Sequence, residues 1–144
     1  MRASVRHLEP PRDDSRSPLR RFAVGVDVVA VDRVAGLVDR RGEALTARVF
    51  TAAELRGCHG DTRRLAARLA AKEAVAKALG TGIGPIGWRD VEVPVVSGPP
   101  TVRLHGAARA AARHQGLERW GLSLAHDSTH AVAVVVAAGT GDPS

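Results

Sequence analysis

Ala70-Ala-Lys72-Glu73-Ala-Val-Ala-Lys77-Ala-Leu-Gly80-Thr-Gly82 sets a carboxylate inside an alanine-rich helical run that a glycine closes. At about 100° per residue, Leu65, Ala66, Leu69, Ala70 and Ala76 all fall within about 80° of Glu73. Arg64, Arg68 and Lys72 form a separate i, i+4 stripe on the other side. The helix therefore turns an apolar face inward, and that face carries Glu73. An ionised carboxylate taken out of water is destabilising unless something compensates it. Lys77, one turn later, is one compensation and a metal ion is another. An ordinary surface Glu–Lys pair, worth about 0.2–0.5 kcal/mol, fits the same spacing.

The elements on either side of this helix follow from local signals. Asp61 or Thr62 caps its start and Gly80 its end. Upstream, Thr51-Ala-Ala-Glu54 is a capping box that opens a shorter helix, with Phe50 as its staple. The capping box accounts for Glu54, so no chemistry is assigned to it. The run Phe22–Val31, apolar and β-branched but interrupted by Asp27, reads as a buried strand, and residues 32–40 as a short helix ended by Gly42. Downstream, Val91, Val93 and Val95 alternate with polar residues as in a half-buried strand, and Ser97-Gly-Pro-Pro100 turns the chain into another with Val102 and Leu104 inward. An Ala-rich helix spans 105–115, and strands at 120–126 and 131–138 are joined by the turn Asp127–His130. The reading is α+β, a mainly antiparallel sheet packed with one long central helix.

Composition bounds the rest. The 144 residues, 44% apolar and 25% charged, suit one domain with a core. Residues 1–21 hold three prolines and many charges without apolar periodicity, which reads as a disordered basic tail; the ordered domain then covers 22–138, and 139–144 is loose. No apolar run approaches the length of a membrane-spanning helix, and no secretory signal is evident. The lone Cys58 excludes an internal disulfide and fits a cytoplasmic protein. A net charge of +6 favours a polyanionic partner. The only aromatics, Phe22, Phe50, Trp88 and Trp120, do not interleave with the basic residues, so nucleic acid is not the expected partner.

Two inward carboxylates in one small domain, Asp27 and Glu73, share an explanation. A divalent cation between them turns mutual repulsion into attraction, and oxygen ligands alone suit Mg²⁺, which keeps waters and takes phosphate oxygens as further ligands. His126 ends the strand Leu122–His126 and carries no metal-ligand spacing of its own. Gly80-Thr-Gly82-Ile-Gly84 follows a helix rather than opening one, so it lacks the context of a phosphate-binding loop.

Together these segments resemble the holo-acyl-carrier-protein synthase family of 4′-phosphopantetheinyl transferases. The resemblance covers about residues 23–137 and runs in family order: Val24-Gly-Val-Asp27, Arg48-Val-Phe-Thr-Ala-Ala-Glu54, Arg68 through Gly82, Trp88-Arg-Asp-Val-Glu-Val, Gly98 through Ala107 and Ser123-Leu-Ala-His126. It implies transfer of phosphopantetheine from coenzyme A to a serine of an apo acyl carrier protein, with release of adenosine 3′,5′-bisphosphate. It implies that Asp27 and Glu73 hold Mg²⁺ and that Lys77 and His126 contact the coenzyme A phosphates, with Arg68 a further phosphate contact. Glu73 and Lys77 are then the catalytic pair. Glu73 or a metal-bound water takes the serine proton, and the sequence does not choose between them.

The resemblance also implies that Arg33 docks the acidic carrier protein, from fatty-acid, polyketide or peptide synthesis, and that the chain forms a homotrimer with sites between subunits. Ala30 stands where the family has Glu, Pro99 where it has Lys, and the tail is an extension. A module that binds carrier protein without turnover is the alternative reading.

Overall fold

The computed structural model describes residues 20–144. Strand β1 (Arg21–Ala30) leads into helices α1 (Val31–Val49), α2 (Ala52–Cys58) and α3 (Thr62–Leu79). A 3-10 turn at Trp88–Asp90 precedes the short strands β2 (Val91–Glu92) and β3 (Arg103–Leu104). Helix α4 (Gly106–His114) then leads to β4 (Arg119–His126) and β5 (His130–Gly139). Most of the tail expected at 1–21 lies outside the described residues, and β1 begins at Arg21.

The architecture is the α+β arrangement that the sequence implies. β5 lies between β1 and β4, antiparallel to both, and α3 crosses the inner face of β1 and β5. Small residues make that crossing close. Ala66, Ala67, Ala70, Ala71 and Ala74 of α3 are buried, as are Ala131, Ala133 and Ala137 of β5. At Gly25 the approach is closest: a Cβ placed there would stand 1.9 Å from the Ala74 carbonyl oxygen. The missing side chain thus sets how near β1 runs to α3, two residues before Asp27. The opposite face of the sheet is apolar and exposed, with Phe22, Val24, Val26, Val28, Val134 and Val136 each more than a third accessible.

Two local readings are corrected. Gly42, at φ 57° and ψ −148°, kinks α1 rather than ending it, and the helix resumes to Val49. The second half is useful to the core, because Val49 is buried and Leu45 packs against the cluster around it. The strand expected through Val95 stops after Glu92. Pro94 has no N–H to give a ladder, so pairing with β3 covers only Val91–Leu104 and Glu92–Arg103. The Arg64–Arg68–Lys72 stripe also turns inward for most of its length: Lys72 is fully buried and Arg68 nearly so.

The caps behave as the sequence indicates. Thr51 and Glu54 close a reciprocal capping box, Asp61 accepts from the Arg63 N–H, and Gly80 ends α3 in the left-handed conformation. Ala30 offers no side-chain cap to α1; the Val31 N–H instead donates to the Thr129 carbonyl at 2.8 Å. The turn between β4 and β5 is tied by Asp127, whose Oδ1 accepts from the N–H groups of Thr129 and His130, both at 2.8 Å. Among the described residues no helix is long and apolar enough to cross a membrane.

Candidate active site

Asp27 reaches the site from the inner face of β1, and Glu73 and Lys77 from consecutive turns of α3. Lys77 bonds Asp27 rather than its helical neighbour: its Nζ donates to Asp27 Oδ1 at 2.8 Å and to the Val26 carbonyl at 3.1 Å. Glu73 instead accepts from Arg33 Nη2 at 3.5 Å, bringing the first turn of α1 over the pair. The exposure is graded. The carboxylates are mostly covered, with 10% of the Asp27 side chain and 20% of Glu73 accessible, while Lys77 at 57% and Arg33 at 53% form the open rim.

The electrostatics follow from this crowding. Burial and then the adjoining Asp27 push the Glu73 carboxyl up to about 7, despite the Arg33 guanidinium. Burial acts the same way on Asp27, but a hydrogen bond from Glu73 and the Lys77 ammonium outweigh it and hold Asp27 below its ordinary value. The two carboxyls thus titrate apart, Glu73 the higher of the two, as close carboxyl pairs do. One atom stays unsatisfied: Asp27 Oδ2 is buried without a hydrogen-bond partner among the described residues. A buried carboxylate oxygen without a partner, beside a second carboxylate, is a donor set that a divalent cation would complete. Among the described residues no group of three or more His, Cys, Asp or Glu side chains gathers, so a cation here would take its remaining oxygens from water or ligand.

His126 and Arg68 sit elsewhere. Both line a cleft of about 500 Å³ between α3, β4 and the Pro94–Pro100 segment, and Pro99 lies in its wall. Arg68 spends its guanidinium on backbone, with Nε donating to the Val93 carbonyl at 3.3 Å and Nη1 to Arg64 at 3.5 Å. Across the sheet, Asp27 pairs with Ala133 and Ala133 with Leu124, which lines the cleft. Two strand spacings, roughly 10 Å, therefore separate cleft from carboxylates within one chain. The structure brings Asp27, Glu73, Lys77 and Arg33 together, and His126 with Arg68, as two half-sites.

One group escaped sequence reasoning. Glu54 and Lys72 form a fully buried ion pair at 3.0 Å, and Lys72 Nζ also donates to the Trp88 and Val91 carbonyls. Glu54 accepts from the N–H groups of Thr51 at 2.9 Å and Val93 at 2.7 Å. The capping box gave Glu54 a sufficient explanation, so nothing in the sequence called for a second partner.

The chain matches the family model described as the 4′-phosphopantetheinyl transferase superfamily over residues 23–135. It is 44% identical over 126 residues to the holo-[acyl-carrier-protein] synthase of Herpetosiphon aurantiacus, covering 82% of this chain and 99% of that one. It is 50% identical over 115 residues to that of Frankia casuarinae, covering 79% and 94%. Its structure resembles the Helicobacter pylori holo-[acyl-carrier-protein] synthase in complex with coenzyme A, with a TM-score of 0.72 at 27% identity over 79% of this chain and 98% of that one. With the paired carboxylates on this fold and the match spanning nearly all of it, the chain belongs to the 4′-phosphopantetheinyl transferase superfamily.

Proposed function

We propose that this chain is a holo-[acyl-carrier-protein] synthase. It moves the 4′-phosphopantetheine of coenzyme A onto a serine hydroxyl of an apo acyl carrier protein and releases adenosine 3′,5′-bisphosphate. The observation that carries this reading is the Asp27–Glu73 pair, with its unpartnered Oδ2 and the Lys77 ammonium beside it. In the reaction the serine oxygen forms a bond to the phosphorus next to pantetheine, the pyrophosphate bridge on its other side breaks, and the serine proton leaves. Asp27 and Glu73 would hold Mg²⁺, which when bound supplies positive charge to the pyrophosphate oxygens. Lys77 holds a second positive charge at the same place, where negative charge develops on the leaving phosphate. Glu73 is one carboxylate in place to take the serine proton.

The cleft with His126 and Arg68 takes the nucleotide end of coenzyme A. Because one chain separates the two half-sites, a coenzyme bridging them is best served by a neighbouring copy, and the exposed apolar sheet face offers the contact for a homotrimer. Arg33, exposed beside an apolar groove of about 150 Å³ that includes Leu37 and Leu45, suits docking of an acidic carrier protein, in the cytoplasm where such carriers work. The test is to incubate the protein with apo carrier protein, coenzyme A and Mg²⁺ and to weigh the carrier intact. A gain of one phosphopantetheine, abolished by a chelator, is the expected result. A folded sample that binds carrier but adds nothing would make the chain a non-catalytic carrier-binding module.

A further inference from the structure

Among the described residues the cleft wall at residues 93–96 has no strand partner, since the β2–β3 ladder ends at Glu92. Three side-chain devices from α2 and α3 replace the ladder. The Val93 N–H is taken by Glu54 Oε1 at 2.7 Å, and its carbonyl by Arg68 Nε at 3.3 Å, so this one residue is clamped at both of its backbone groups. One turn beyond Glu54 on α2, Gly57 leaves room for Val95: a Cβ there would lie 2.7 Å from Val95 Cβ. Behind the clamp, Lys72 fixes Glu54 and ties it to the Trp88 and Val91 carbonyls, so the clamp is anchored at the start of the same segment. Pro94, Val95 and Val96 then run directly into the cleft lining.

We infer that Glu54, locked by Lys72, is a positioning residue: with Gly57 it sets the wall of the cleft and thereby the affinity for the nucleotide end of coenzyme A. This rests on the nucleotide reading of the cleft. The clamp touches neither Asp27 nor Lys77, so it separates binding from turnover. Removing it loosens one wall, while the carboxylate pair and the ammonium keep their partners.

The test compares the parent with Glu54→Gln and Gly57→Ala. Glu54→Gln strips the buried Lys72 ammonium of its counter-charge and can unfold the chain. Gly57→Ala alters neither ion and acts only by displacing Val95. In each variant that folds, the KM for coenzyme A should rise by about tenfold with kcat within about twofold, the pattern of lost ground-state binding. The Kd of adenosine 3′,5′-bisphosphate by calorimetry should rise in parallel. Unchanged KM and Kd in folded Gly57→Ala, or a kcat that falls in step with its KM, would overturn the inference. If the parent transfers nothing, the proposed reaction fails, but calorimetry still decides this point. Weaker nucleotide binding by Gly57→Ala upholds the positioning role, and equal binding, or none by the parent, ends it.

Discussion

Helix α3 carries two lysine–carboxylate pairs that sit five residues apart and behave in opposite ways. Lys72 and Glu54 are wholly buried, every polar atom of the pair's contact is satisfied, and the ammonium meets two carbonyls besides its counter-ion. Burial pulls Lys72 below its ordinary value against the attraction of Glu54. Lys77 and Asp27 are paired as closely, at 2.8 Å, yet the lysine is exposed and one oxygen of the aspartate has no partner. A saturated pair is an anchor, because any change leaves a buried charge alone. An unsaturated pair can act as a receptor, because its free oxygen suits a cation and its exposed ammonium a phosphate. Residue type and separation do not distinguish the two; the satisfaction of the last oxygen does.

The contrast is open to attack in several ways. Glu73→Gln keeps the volume of the receptor pair but removes its charge. Transfer should fall by on the order of 10³-fold without a fall in melting temperature, measured by the carrier mass assay and a thermal melt. Lys72→Ala strikes the anchor and should lower stability by about 3–5 kcal/mol, read from the denaturant midpoint. Equal stability losses in the two variants would erase the distinction.

Acidity sharpens it further. Folding raises the Glu73 carboxyl from 4.5 to about 7, so between those values the native state holds a proton that the unfolded chain has lost. The metal-free parent should therefore lose stability, relative to Glu73→Gln, as pH rises from about 4.5 through about 7. Magnesium should raise the melting temperature more at about pH 8 than at about pH 5, since it favours the ionised pair. The smallest effect is expected at Asp127. Bonds from the His130 and Thr129 N–H groups hold its carboxyl down at about 2. Asp127→Ala should quicken hydrogen exchange at those two amides while leaving the melting temperature almost unchanged.

The two inward carboxylates were legible in the sequence and the anchor was not, for a physical reason. Asp27 and Glu73 each interrupt an apolar run, which marks a buried charge from local pattern alone. Glu54 presents as a complete N-terminal cap, and Lys72 as one member of a basic stripe. Their meeting depends on how α2 lies against α3, which no spacing encodes. The element order was readable from caps, alternation and turn residues. The kink at Gly42 and the early end of β2 were not, because tertiary packing chose among conformations that the local sequence allowed. His126 and Arg68 were marked by resemblance to a family, but their separation from the carboxylates appears only once strands β1, β5 and β4 are in register.

Lys72 and Lys77 are the only lysines among the 21 Lys and Arg residues of the chain. The side chain of one is closed to solvent and that of the other is 57% open. An amine-acylating reagent therefore finds a single side-chain target, beside the carboxylate pair, against an arginine background that does not react. If coenzyme A seats its phosphates on Lys77 as proposed, protection of that amine from acylation, read by peptide mass, serves as a built-in occupancy gauge, without a tag, a fluorophore or a mutation.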